Sequence, residues 1–235
     1  MSSITAAVPP FLPRQEQDPE PDLTTYRLVQ RAMTRDLRRL AALTADVAAG
    51  VDEAWLDPTR AHALGRYACD LFAEVRRRHE AEEQVLWPVL RSVAGADVVL
   101  DGLADDHSVL GPMVERARNA VVLLADSPHD VMRARWCASA TAELHQVMDE
   151  HVADEEREVF PVIRRYLTVE AYAWVETRLQ KATPLIDLTF VVPWLDAVAD
   201  DAERAQAMER AGLPFRLLLA ATRSHHARRE CAVFG

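Results

Sequence analysis

Apolar side chains recur at helical spacing along four long stretches of the chain, and each stretch predicts an amphipathic helix. The stretches cover residues 22–49, 57–93, 103–125 and 127–167. Asp57-Pro58 and Ser127-Pro128 begin the second and fourth stretches, and a capping residue followed by proline is typical of a helix start. No alternating strand pattern persists in these stretches. The pattern therefore predicts an all-α fold in which four helices form an antiparallel up-down-up-down bundle.

The segments that flank this bundle, residues 22–167, have a different pattern. Residues 1–21 contain five prolines among scattered polar residues, which predicts a disordered or loosely packed arm. Residues 168–235 contain a further helical stretch at 169–181 and two apolar patches interrupted by proline. We expect this last region to be a C-terminal helical extension that packs on the bundle.

Composition narrows the class of protein. The 235 residues are 49% hydrophobic and 27% charged, as in globular proteins, and 37 acidic against 27 basic residues give a net charge of −10. That balance argues against nucleic acid as a partner and makes membrane binding unlikely. Seven glycines and no glycine-rich phosphate motif argue against nucleotide binding. Three scattered cysteines and the lack of a leader pattern predict a cytoplasmic protein, which we expect to be a monomer or homodimer.

The apolar residues of each predicted helix form a line along one face, which we call the apolar seam. Three of the predicted helices carry a histidine at a position of this seam. His79 and Glu83 lie one turn apart on the second helix, His151 and Glu155 lie one turn apart on the fourth, and His107 lies on the third. A buried carboxylate is unfavourable unless it is paired or bound to a cation. Imidazoles and carboxylates that converge from several helices are what a metal site inside a bundle requires.

An internal echo supports this interpretation. The segment 82–90, EEQVLWPVL, resembles 155–163, EEREVFPVI, since both contain paired glutamates, an aromatic residue before proline and valine after it. The simpler alternative is that both are amphipathic helix ends broken by a proline. We prefer the metal-site hypothesis because the histidines lie on the seams.

The two H-x-x-x-E motifs, each followed by an apolar-aromatic-Pro sequence, with a lone seam histidine between them, resemble the hemerythrin-like (HHE cation-binding) family over residues 22–167. The resemblance implies a four-helix bundle that holds non-haem iron, as one or two ions, with a di-iron centre favoured. It implies small-molecule partners, namely O2, peroxide or NO. The metal ligands that it implies are His79, Glu83, His107, His151 and Glu155.

Two departures from the family pattern leave alternatives open. Gln30 stands where the family has a first-helix histidine, and an amide oxygen is a poor substitute for imidazole on iron. In addition, the ungapped echo aligns His151 with Arg78, so Glu82 or even Glu80 is an alternative to Glu83. We choose Glu83 because its spacing from His79 equals that of the other pair. The rival functions are a metal-dependent oxidase or oxygenase acting on a small molecule, and a metal-poor structural or interaction module with a degenerate site.

Overall fold

The computed structural model describes residues 8–51, 56–95 and 101–235, except for the side chains of residues 101–108 and 211. Every regular element within these ranges is helical, and they contain no strand. The all-α prediction is therefore confirmed. The α-helices are α1 (Thr24–Ala49), α2 (Pro58–Ala81), α3 (Trp87–Ala94), α4 (Asp101–Asp126), α5 (Val131–Asp154), α6 (Phe160–Tyr166), α7 (Val169–Ala182), α8 (Leu188–Asp196) and α9 (Asp201–Phe234).

Two short π-helical segments interrupt the long predicted helices. The first π-turn (Glu82–Leu86) joins α2 to α3, and the second π-turn (Glu155–Val159) joins α5 to α6. The second and fourth predicted stretches thus each form one α–π–α rod. The internal echo coincides with these two junctions.

The start of α2 agrees with the capping signal in the sequence, and the start of α5 does not. The Asp57 side chain accepts hydrogen bonds from the backbone N–H groups of residues 59 and 60, at 2.7 and 3.0 Å, as predicted. Ser127-Pro128 does not begin α5, because residues 127–130 form a turn closed by the Asp130 N–H and the Ser127 carbonyl at 3.1 Å. Asp130 caps α5 instead, accepting from the N–H groups of residues 132 and 133.

Helix α1 packs along α5, α5 along α4, and α4 along α2, while α2 also contacts α1. Their facing apolar side chains form one hydrophobic cluster. A second cluster is built from α3, α6, α7, the π-turns and the start of α1. On α1, α2 and α5, buried polar residues lie between the residues of the first cluster and the residues of the second. We call these residues the polar band. The candidate site lies in that band.

The described part of the predicted N-terminal arm lies against the second cluster. The Arg14 N–H donates to the Tyr166 carbonyl at 2.9 Å, and its guanidinium donates to the Arg164 carbonyl at 3.1 Å. The Phe11 ring meets the Trp174 ring edge-on with centroids 5.8 Å apart. Residues 8–21 are thus held by contacts to α6 and α7, and residues 1–7 lie outside the described residues.

Helices α8 and α9 contact each other and also α1 and α2, and a buried carboxylate ties them together. Asp36 of α1 is fully buried and accepts hydrogen bonds from the Tyr67 hydroxyl, the Trp194 indole N–H at 2.8 Å and the Arg35 guanidinium at 2.8 Å. Glu230 of α9 lies within 2.8 Å of Arg35 and 2.7 Å of Arg39. We call this group the Asp36 cluster: Arg35, Asp36, Arg39, Tyr67, Trp194 and Glu230.

Helix α9 is long but polar and broken. A capping box between Asp200 and Glu203 begins it, and Gly212 interrupts it with a φ of 71°, a left-handed conformation that glycine adopts without strain. None of the helices in the described ranges, this one included, has an apolar stretch long enough to cross a bilayer.

Candidate metal centre

The polar band contains seven side chains from α1, the α2–α3 rod and the α5–α6 rod. We call them the Glu155 cluster: Tyr26, Gln30, Arg78, His79, Glu82, His151 and Glu155. All seven are buried. Each glutamate opens a π-turn, and each histidine lies in the last turn of the α-helix before it.

The prolines explain why the π-turns form at these two positions. Proline has no N–H, and its ring clashes with the carbonyl four residues earlier in a regular α-helix. The chain accommodates Pro88 and Pro161 by widening the preceding turn, so that the Trp87 N–H donates to the Glu82 carbonyl and the Phe160 N–H donates to the Glu155 carbonyl. Each wide turn leaves its first residue, the glutamate, facing the interior.

The two histidines approach each other in the interior. The Nδ1 atom of His79 lies 2.6 Å from the Val75 carbonyl, which only accepts, so Nδ1 carries the proton and Nε2 carries the lone pair. The rings of His79 and His151 lie with centroids 5.0 Å apart. One potential ligand atom from each of His79, Glu82 and His151 lies within 4.8 Å of the other two. At this separation the three atoms could hold one cation between them.

Glu155 is held by two uncharged donors. The Tyr26 hydroxyl donates to its Oε1 at 2.8 Å, and the Gln30 amide donates to its Oε2 at 2.9 Å. His151 Nε2 lies 3.7 Å from the same Oε1. The amide oxygen of Gln30 is buried and has no hydrogen-bond partner among the described residues. A buried acceptor of this kind is satisfied by a water molecule or by a cation.

Arg78 neutralises the other carboxylate. Its Nε donates to Glu82 Oε1, and its guanidinium lies over the Tyr26 ring, 3.9 Å from the centroid. Burial is the largest single influence and lowers the pKa of Arg78, but the interactions with Glu82, Tyr26 and Glu155 together raise it more, so that the pKa lies above its ordinary value. Arg78 is therefore a fixed positive charge inside the cluster.

The cluster contains two carboxylates and one guanidinium, and this excess of negative charge affects the pKa of Glu155. Burial and the charge of Glu82 raise the pKa of Glu155 from 4.5 to about 8, despite the hydrogen bonds from Gln30 and Tyr26. Burial and the charge of Glu155 likewise raise the pKa of Tyr26 well above its ordinary value. At neutral pH such a site binds either a proton or a cation.

The structure brings together three of the five residues expected from the sequence: His79, His151 and Glu155. Glu83 is exposed, as is Glu80, and Glu82 is buried beside the histidines in their place. The geometry of the described residues therefore favours Glu82, the alternative left open by the sequence, and Glu83 stays a prediction. His107 lies in α4, and its side chain is outside the described part of the chain.

The choice of Glu83 from spacing takes His79 as the counterpart of His151, whereas the π-turns pair Arg78 with His151. Glu82 and Glu155 each begin a π-turn, so the echo aligned on the prolines gives the structural equivalence and pairs Arg78 with His151. The buried side of the second helix passes through Val75, Arg78 and Glu82, which leaves Glu83 about 100° away from Glu82. Sequence analysis missed Tyr26, although it lies one turn before Gln30 on the same face of α1.

The fold and the site define an all-helical protein with a buried histidine–carboxylate centre suited to a cation. The family model described as Hemerythrin HHE cation binding domain matches residues 24–163. The chain belongs to this family. Among the curated proteins and among the solved structures, nothing matches the chain.

Proposed function

We propose that the protein binds iron in the Glu155 cluster and that this site binds or reacts with O2, peroxide or NO. One observation carries the proposal: two imidazoles and two carboxylates converge in the buried band, and a single guanidinium offsets their charge. Family membership supports a cation and makes iron the preferred ion. We further propose that the four bundle helices run up-down-up-down.

The residues present fit a cation. His79 Nδ1 donates to the Val75 carbonyl, which leaves the Nε2 lone pair of the neutral ring for a metal, and metal-binding histidines commonly donate their other ring N–H to a carbonyl in this way. His151, Glu82 and Glu155 complete a set of nitrogen and oxygen donors that suits iron. The buried Gln30 oxygen is available as a weak additional ligand.

Bound iron would supply redox chemistry and an exchangeable position for a small diatomic or peroxide ligand. The protein's own contribution is to hold and shield that position. The Tyr26 hydroxyl fixes one oxygen of Glu155 and carries a proton at that point, while the Gln30 amide fixes the other oxygen. The hydrophobic clusters on either side of the band keep bulk water away from these groups.

We propose a single iron ion rather than the di-iron centre that the resemblance favours. Arg78 takes the position equivalent to His151 in the first repeat, and its guanidinium engages Glu82 with one unit of permanent positive charge. A second ion would need further imidazole or carboxylate ligands, and Arg78 fills one such position with a cation that cannot bind a metal ion. Gln30 removes a further imidazole from the same region.

The test is elemental analysis and absorption spectroscopy of protein produced with iron supplied. We expect one iron per chain. His151→Ala should lose the iron, whereas His145→Ala, a half-buried histidine of the same helix that pairs with Asp149 at 3.3 Å, should retain it. Equal iron content in the two variants would contradict the site, and two irons per chain would contradict the single-ion proposal.

The adjacent glutamates give a second matched pair. Glu82→Ala removes a buried carboxylate from the cluster, and Glu83→Ala removes an exposed one from the next position in the chain. We expect iron loss in the first variant only. Iron loss in the second variant alone would restore the choice made from spacing.

The competing function is a metal-poor structural or interaction module. Arg78 and Gln30 favour it, because each replaces a potential ligand with a group that is already hydrogen-bonded to a carboxylate. Iron-supplied protein that contains no metal, yet melts cooperatively, would establish this alternative.

A further inference from the structure

A cavity of about 310 Å³ lies between the bundle and the C-terminal extension. Helices α1 and α2 form one side, and α7, α8 and α9 form the other. Its volume is at the lower end of the range for small-molecule pockets, about 300–1,000 Å³. The walls are largely apolar, and include Leu28, Val29, Leu179, Val191, Leu195 and Met208.

This cavity borders the Glu155 cluster. Tyr26 and Arg78 line the cavity, and the same two side chains contact the carboxylates of the cluster. The Tyr26 hydroxyl donates to Glu155, and the Arg78 guanidinium donates to Glu82. A molecule in the cavity would therefore be separated from the carboxylates by the thickness of one side chain.

The charged residues around the cavity are mostly paired with each other. Arg204 lies 2.9 Å from Asp196, and Arg210 lies 2.7 Å from Asp22. Arg77 contacts both Glu74 and Asp187. Since these pairs offset each other's charge and the remaining walls are largely apolar, an uncharged occupant suits the cavity better than an ion.

Glu176 of α7 provides a polar feature in these walls. Its Oε1 is buried and has no hydrogen-bond partner among the described residues. Burial raises the pKa of this carboxyl group. A hydroxyl group on an occupant can either donate to this oxygen or accept from the protonated group, so it suits both states.

We propose that the cavity binds an uncharged, mainly apolar small molecule that carries a hydroxyl group, such as a phenol. The apolar walls bind its body, and Glu176 binds its hydroxyl group. Tyr26 and Arg78 then link occupancy of the cavity to the Glu155 cluster, and this link alone rests on the proposed function. The C-terminal extension and the bundle thus form a small-molecule binding site between them.

The test uses 1-naphthol as a fluorescent probe with the metal-free, full-length chain, and naphthalene as the analogue without the hydroxyl group. We expect saturable binding of one 1-naphthol per chain, with weaker binding of naphthalene. Glu176→Leu should reduce the affinity for 1-naphthol to that for naphthalene. Absence of saturable binding, or equal affinity of the wild-type chain for the two probes, would overturn the proposal.

Variants that fill the cavity locate the probe. Val192→Trp and Leu179→Trp, two half-buried lining positions on different helices, should each weaken 1-naphthol binding by about tenfold or more, since the cavity cannot hold both groups. Leu217→Trp is the control, because Leu217 is 62% exposed and does not line the cavity. Circular dichroism verifies folding, and two filling variants are used so that one remains if the other unfolds. Unchanged affinity in a folded filling variant would place the probe elsewhere.

The link to the metal centre is measured separately. In iron-loaded protein, 1-naphthol should shift the absorption spectrum of the wild type and of Leu217→Trp, but not that of Val192→Trp. A spectrum that is unchanged at saturating 1-naphthol would overturn the link and leave the cavity site intact. Protein that binds 1-naphthol but no iron would overturn the proposed function without touching the cavity.

Discussion

The molecule contains two buried carboxylate clusters that differ in what surrounds them. In the Asp36 cluster, the carboxylate accepts hydrogen bonds from Tyr67 and Trp194 and from two guanidinium groups, those of Arg35 and Arg39. In the Glu155 cluster, the carboxylate accepts hydrogen bonds from a phenol and an amide, both uncharged, and lies near a second carboxylate. The first carboxylate is neutralised by the protein, and the second is not.

This difference separates a structural site from a candidate binding site. A buried anion with matched cations stabilises the packing of the elements that supply them, in this case α1, α2, α8 and α9. A buried anion with too few cations stabilises the fold only when a proton or another cation joins it. Burial of a charged residue alone does not distinguish the two cases, whereas the charges of its partners do.

The largest expected effect is the loss of stability on breaking the Asp36 cluster. Asp36→Ala leaves the Tyr67 hydroxyl and the Trp194 N–H buried without their acceptor and removes a charge partner of Arg35 and Arg39. We expect the free energy of unfolding to fall by about 3–5 kcal/mol. Chemical denaturation measures this change. The iron content of the folded fraction should be unchanged, and its loss would show that the two clusters are not separate.

The opposite result is expected for Glu155→Gln in metal-free protein. A carboxyl group whose pKa is raised on folding binds a proton more tightly in the folded state, so the free energy of unfolding of the wild type falls as pH rises from 4.5 to about 8. The variant lacks this group. It should match the wild type near pH 4.5, become the more stable protein towards pH 8, and bind no iron.

Urea denaturation of the wild type and Glu155→Gln across this pH range, with a chelator present, measures the difference. Carboxyl groups outside the Glu155 cluster titrate in both proteins and cancel in the comparison. A stability difference that is independent of pH would contradict the charge imbalance in the Glu155 cluster.

Tyr26→Phe should weaken the metal site and leave the Asp36 cluster unchanged. The variant removes the hydroxyl group that fixes Glu155 Oε1 but retains the ring under Arg78. Loss of a hydrogen bond that orients a metal ligand lowers metal affinity by about 10–100-fold. Competition with a chelator of known affinity measures the change, and Tyr67→Phe serves as the control that should leave iron affinity unaltered.

The smallest expected effect is a gain. Gln30→His replaces an amide by an imidazole beside Glu155, and we expect iron to bind more tightly by about tenfold because imidazole is the better ligand. The same chelator competition measures it. If affinity and absorption spectrum both stay the same, position 30 does not reach the metal, and the proposed role of its amide oxygen is incorrect.

The positions of the helices could be predicted from the sequence because their apolar seams follow the helical period over many turns. Local signals were less certain. Asp57 caps α2 as expected, but Asp130 rather than Ser127 caps α5, although a capping residue followed by proline is typical of a helix start. The outcome depended on a turn that no periodic pattern reveals.

At the candidate site, the residue types could be predicted but their partners could not. His79, His151 and Glu155 were found because each interrupts an apolar seam. The burial of Arg78 could not be predicted because an arginine is normally a surface residue, and this one is held by a glutamate one turn later and a tyrosine on another helix. The extension cavity was likewise out of reach, since five helices that are distant in sequence form its walls.

The π-turns make the site depend on the length of the chain as well as on its composition. Pro88 follows Glu82 by six residues, and Pro161 follows Glu155 by six residues. Deletion of one residue between them would turn the following segment by about 100° relative to the glutamate, whereas most substitutions there would leave the geometry intact. A scan of point variants would therefore report the exposed residues Glu83 and Gln84 as tolerant, although the number of residues in the segment 83–86 sets the position of a buried carboxylate. In this protein, single-residue insertions and deletions are the sensitive probe of the two junctions.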